Sequence, residues 1–166
     1  MNYPYFRSVL RRFWLIMKTV MVIGYGNELR SDDGVGKKIA NTIDSWNLSN
    51  VKSLAVHQLT PELADELANV NLSIFVDATI NENMVVESLS AIDKHYHSIG
   101  HFGDPRSLLA LTKILYHQSP VAWLVTVPGE NFELGDRLSP TAEKGMAIAI
   151  DKIIQILNTS KIYKSS

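Results

Sequence analysis

The sequence predicts a three-layer α/β/α sandwich on a five-stranded, mostly parallel twisted sheet, and three observations carry that prediction. Short β-branched runs alternate with stretches whose apolar residues recur at helical spacing, and no internal repeat or low-complexity linker breaks the alternation. The first run, "TVMVIGYG" (19–26), is almost continuously apolar, as a central parallel strand buried on both faces should be. A chain of 166 residues is long enough for one well-buried core and too short for two ordinary domains.

Gly24 and Gly26 end the first strand. Val35, Ile39, Ile43 and Trp46 then fall on one helical face, with Asp32 or Asp33 expected as the N-cap. "VKSLAVHQL" (51–59) reads as a second strand, after which Thr60 caps a short helix with Pro61 at its first position and Glu62 in its first turn. "NLSIFVDAT" (71–79) is a third strand, apolar until Asp77, and "MVVESLSAI" (84–92) alternates as an edge strand does and is compatible with an antiparallel placement. A His-rich loop, "DKHYHSIGHFGDP", leads to Asp104 and Pro105, which start a helix with Leu108, Leu109, Leu111, Thr112 and Leu115 as its core stripe. "VAWLVTV" (121–127) is the fifth strand. After "PGENFELGDRL", Ser139 and Pro140 open a closing helix that runs to about Leu157. With right-handed crossovers these elements make the sandwich, in which ligands sit beyond the carboxyl ends of the strands where strand order reverses.

Composition narrows the function. Apolar residues are 46% of the chain and charged residues 20%, with a formal net charge of −1, which is the balance of a soluble globular protein and not of one that coats nucleic acid. The absence of cysteine excludes disulfides, thiolate metal sites, iron–sulfur clusters and a cysteine nucleophile, so any metal must be held by His, Asp, Glu or backbone oxygen. No apolar run approaches the roughly 18 to 20 residues that span a bilayer. The opening "MNYPYFRSVLRRFWLIMK" is basic and aromatic, but its apolar segment Phe13 to Met17 is shorter than the roughly 7 to 15 residues of a signal-peptide core. Residues 1–17 therefore read as a tail or an over-extended start, ahead of a single domain over 18–160 and a C-terminal tail over 161–166. A membrane-surface role for Arg7, Arg11 and Arg12 is the weaker alternative. The expectation is a cytoplasmic monomer with neither a nucleic-acid nor a membrane partner.

The chemistry concentrates in "VIGYGNELRSDDGVGKKIA" (22–40). A dinucleotide fingerprint fails there because Leu29 stands at the third glycine position, and a phosphate loop fails because Ser31 replaces its leading glycine and Lys38 its Ser or Thr. Asp32 and Asp33 would also repel a phosphate from the electropositive end of the helix. The loop presents carboxylate to something cationic. Asp77, at the end of the third strand, projects into the same crevice, and His101 lies in the loop after the fourth. Two carboxylates and an imidazole with open positions make a site for a divalent transition metal. Against this, an Asp ahead of a helix is commonly no more than a cap. Asp77 is harder to dismiss, because a carboxylate directly after "SIFV" needs a partner if buried. His95, His97 and His117 read as solvent-exposed or capping, and His57 is intermediate.

Together, "GYGNELRSDDGVG", "VDAT", "GHFGDPRSLLAL" and "VPGENFELGDRLSP" resemble the hydrogenase maturation proteases, endopeptidases that remove the C-terminal extension from the large subunit of nickel-iron hydrogenases. The resemblance runs from about residue 19 to 158. It implies that Asp33, Asp77 and His101 form the metal-contacting catalytic triad, the same three residues that the sheet-edge argument selects. Asp33 stands where many relatives carry Glu, so a ligand role requires closer backbone approach. Gly26, Asn27, Arg30 and Asp32 are expected to shape the loop and substrate cleft. Glu130, Glu133 and Asp136 are placed at its rim, with a solvated loop preferred for Glu133 and Asp136. The motif forms look closest to members that serve bidirectional, NAD-linked hydrogenases.

The implied partner is a hydrogenase large-subunit precursor, and the implied metal is nickel that arrives on the precursor's thiolates and is not held permanently. The sequence is equally compatible with a Lewis-acid metal, a metal-activated water and a carboxylate general base. Neither H-E-x-x-H nor G-x-S-x-G is present, so ordinary zinc-protease and serine-hydrolase mechanisms have little support. The alternative is a non-catalytic metal-sensing assembly factor of the same fold. A small-nucleotide-binding domain is disfavoured by the failed glycine fingerprint and the paired aspartates.

Overall fold

Strands β1 (Val20–Tyr25), β2 (Val51–Val56), β3 (Leu72–Thr79), β4 (Val85–Leu89) and β5 (Val121–Pro128) form one sheet in the order β2-β1-β3-β5-β4. The structure, a computed structural model, describes residues 19–90 and 103–162. β1, β2, β3 and β5 run parallel, and β4 lies antiparallel on β5 at the edge, with Val86 opposite Val125. β1 is buried along its whole length, as its unbroken apolar run requires.

Side-chain alternation along the central strands divides the core between two faces. Val20, Val22, Leu72, Ile74 and Val76 pack under α1 (Val35–Ser45) and α4 (Pro140–Ile162), against Ile39, Ile43, Ala149 and Ile153. Met21, Ile23, Tyr25 and Phe75 pack on the other face under α2 (Leu63–Ala68) and α3 (Pro105–Tyr116), against Leu67, Leu108 and Leu109. The chain leaves β1 for β2 on one side and returns to β3 on the other. The reversal of strand order therefore falls between the carboxyl ends of β1 and β3, which is where a ligand cleft is expected.

Several boundaries depart from expectation for identifiable reasons. Neither Asp32 nor Asp33 caps α1: both lie in a 3-10 turn over Ser31–Gly34, and the capping residue is Gly34, which has no side chain to bond. Trp46 leaves the α1 face and is 37% exposed, because the helix stops at Ser45 and Asn47 turns the chain with φ 50°. Residues 60–62 form a turn, with Leu63 N donating to Thr60 O at 3.1 Å, so α2 begins later than Pro61. Leu115 is 56% exposed at the end of α3, whereas Leu108, Leu109 and Thr112 are buried as expected. α4 continues past Leu157 to Ile162. The other two caps form: Asp104 accepts from Arg106 N at 3.0 Å, and Ser139 Oγ accepts from Ala142 N at 3.1 Å. Most of the His-rich loop, including His95, His97 and His101, lies outside the described residues, as do the N-terminal tail and residues 163–166.

Candidate functional site

Tyr25 ends β1 and hands the chain to Gly26, whose φ of 134° is open to glycine and strained for other residues. A Cβ there would also lie 1.9 Å from the carbonyl oxygen of Asp33. The loop folds back on itself at this point. Asn27 N donates to Asp33 Oδ2 at 2.7 Å, Arg30 N to Asn27 O at 3.0 Å, and Leu29 N to Asn27 Oδ1 at 3.0 Å. Asn27 thus shapes the loop with both its backbone and its side chain, and it returns Asp33 over the end of β1.

Asp77 arrives from β3. Its Oδ1 accepts from Ala78 N at 2.8 Å, and the Tyr25 hydroxyl lies close to the same carboxylate. Burial pushes the Asp77 carboxyl up to about 6, and the nearby charge of Asp33 adds to the rise, while the bonds from Tyr25 and Ala78 oppose it. The Tyr25 phenol is held far above its ordinary value, by burial first and then by Asp77 and Asp104. The structure thus brings Asp33 and Asp77 together at the edge. Among the described residues neither forms an ion pair, and the nearby Lys37 is engaged by Glu28 at 2.8 Å.

Asp32 points elsewhere. It is fully buried and accepts four hydrogen bonds from the loop between β5 and α4: Glu130 N at 2.8 Å, Asn131 N at 2.9 Å, and Ser139 N and Oγ, both at 2.7 Å. Burial alone would raise its pKa, but these donors outweigh that and hold the carboxyl below its ordinary value. Arg30 joins the same closure, its Nε donating to Phe132 O at 3.1 Å. Glu130, Glu133 and Asp136 are exposed on that loop, and the Glu130 carboxylate also takes the Thr141 hydroxyl.

His101 lies outside the described residues. His57 is exposed, and only its carbonyl oxygen enters the loop geometry, accepting from Gly26 N at 3.2 Å. His117 is exposed and caps α3 in the left-handed region. Among the described residues no three His, Cys, Asp or Glu side chains are grouped to hold a metal. Asp33 and Asp77 are the two carboxylates that this edge offers to a cation among the sequence-predicted triad.

Sequence reasoning missed Tyr25. The available signal was its place two residues after Ile23, on the face that Asp77 shares. Asp104, noticed only as a cap, adds a further charge near Tyr25.

Three large apolar side chains stand exposed on the loops at this edge of the sheet. Ile80, Leu29 and Leu134 are 82%, 68% and 87% exposed, the highest values among the large apolar residues described. All three sit on loops at the carboxyl edge. Leu29 and Leu134 are neighbours, since Gly135 N donates to Leu29 O at 2.9 Å, and Ile80 follows Thr79, whose carbonyl takes Gly129 N at 2.8 Å. A cavity of about 480 Å³ opens at the opposite end of the sheet, between Leu72, Val121, Trp123 and Ile156, and brings no carboxylate into its walls.

The fold and this edge define a three-layer α/β protein with two converging carboxylates at the point of strand reversal. Solved structures share that architecture. The hydrogenase maturating endopeptidase HybD of E. coli superposes with a TM-score of 0.68 at 21% identity, over 86% of this chain and 93% of its own. A hydrogenase 2 maturation peptidase from a Thaumarchaeota archaeon gives 0.65 at 21% identity, over 85% and 99%. The maturation protease HycI of Thermococcus kodakarensis gives 0.65 at 18% identity, over 90% and 99%. No family model matches the sequence, and no curated protein does.

Proposed function

We propose that this chain is an endopeptidase that removes the C-terminal extension of a nickel-iron hydrogenase large-subunit precursor after nickel insertion, acting as a cytoplasmic monomer. The observation that carries the proposal is the pairing of Asp33 and Asp77 at the strand reversal, each held by its own hydrogen bonds. The motifs quoted above and the likeness to solved maturation peptidases support the same reading. The motif forms assign the precursor to the bidirectional, NAD-linked class.

Nickel here is cargo of the substrate. Two carboxylates are hard donors, suited to engaging an ion already held by softer thiolates without stripping it. A metal in this place supplies orientation and charge stabilisation. Asp33, Asp77 and His101 hold the metal-bearing segment so that the scissile bond lies at the edge of the sheet. Asp77 acts as general base towards the attacking water, its carboxyl raised by burial to about 6 and so better matched to that task than an ordinary carboxylate.

The test is an electrophoretic assay of nickel-loaded and nickel-free precursor mixed with the protein and with its D33A, D77A and H101A variants. Nickel-dependent shortening that is lost in the variants is expected. Binding of the correct precursor without shortening would instead make the chain a metal-sensing assembly factor, and no interaction with any precursor would overturn both readings.

A further inference from the structure

The tripeptide Tyr25-Gly26-Asn27 reaches both acids. Its last residue donates a backbone N–H to Asp33 Oδ2 at 2.7 Å, and its first brings a phenol close to the carboxylate of Asp77. The register explains the second contact. Gly24 of β1 lies opposite Val76 of β3, so Tyr25 and Asp77 are the next pair along, on the face shared by Ile23 and Phe75. Tyr25 is 9% exposed and packed in the core under α2 and α3, so its neighbours fix the ring. Ala78 N engages Asp77 Oδ1, which leaves the other carboxylate lone pairs free for the phenol beside them.

We infer that Tyr25 is a positioning residue for the proposed reaction: its hydroxyl fixes the rotamer of the Asp77 carboxylate and, with Asn27, the separation of Asp77 from Asp33. This rests on the reading of the acid pair as the active edge. It also accounts for a buried phenol at the end of a strand where an apolar ring alone would complete the core. The geometry assigns Tyr25 the outer-shell task that a hydrogen-bonded partner performs for a first ligand elsewhere, orienting a group it does not replace.

The Tyr25→Phe variant removes one oxygen and keeps the ring. Two measurements are made on the full chain: crystal structures of wild type and variant, to compare the Asp77 side-chain torsion, and the kinetics of nickel-loaded precursor processing. The expected results are a rotated or multiply occupied Asp77 carboxylate, a fall of about tenfold in kcat with KM little changed, and a melting temperature within a few degrees of wild type. An unmoved Asp77 carboxylate, or wild-type kcat in Tyr25→Phe, overturns the inference. If the wild type cleaves no precursor, the proposed function fails, while the Asp77 torsion still decides whether Tyr25 positions it.

Discussion

Asp32 and Asp33 are adjacent in the chain and do different work. Asp32 is sealed inside and ties two loops together through four donors, so Asp32→Ala should cost about 3 kcal/mol or more, read from the midpoint of urea unfolding. Its folded pKa is depressed, so the stability it contributes is present above its ordinary value of 3.8 and is lost as pH falls towards the lowered value. Asp32→Asn should flatten the acid limb of the stability profile. Asp77 has the opposite sign. Its folded pKa of about 6 lies above the ordinary 3.8, so its contribution is fully present below 3.8 and is lost as pH rises through 6. Asp77→Asn should therefore melt a few degrees higher than wild type at pH 8, converge on it below about pH 4, and process no precursor. A variant that still processed precursor would remove Asp77 from the active edge. Asp77 was legible in the sequence because a carboxylate ending an apolar run stands out. The task of Asp32 was not, since its donors lie about a hundred residues away along the chain.

At the scale of elements, helix α1 lies unusually close to the sheet. A Cβ on Gly36 would come within 2.4 Å of Val76 O and 2.8 Å of Tyr25 O, backbone atoms that cannot move aside. Gly36→Ala should thus push α1 off β1 and β3 and cost about 2 to 3 kcal/mol, with loss of processing, since the same helix carries Asp33 at its entrance. Wild-type unfolding in urea by that variant would disprove the close packing. Local pattern found every described strand and helix but misplaced ends such as Trp46 and Leu115, because an end is decided by what the next turn can bond. Tyr25 escaped notice for a related reason: its value depends on β3 lying beside β1, and neighbouring strands are not neighbours in sequence.

For the whole molecule, the first described contacts already anchor the fold at Thr19, whose N–H donates to Asn71 Oδ1 at 3.0 Å and whose carbonyl takes Asn71 N at 2.9 Å. A chain begun at Met17 keeps those contacts and should match the full chain in melting temperature and processing rate; a large loss in either would give residues 1–16 a role. Among the described residues no helix is long and apolar enough to cross a membrane. The sequence by itself determined the alternating architecture, the buried central strand and an acidic loop unfit for phosphate, because periodicity and residue chemistry are local properties. Only the tertiary structure decided that Asp33 comes near Asp77 while Asp32 turns inward, and that Tyr25 lies beside Asp77. Those assignments depend on strand order and on contacts between distant loops, and packing settles both once the whole chain has closed.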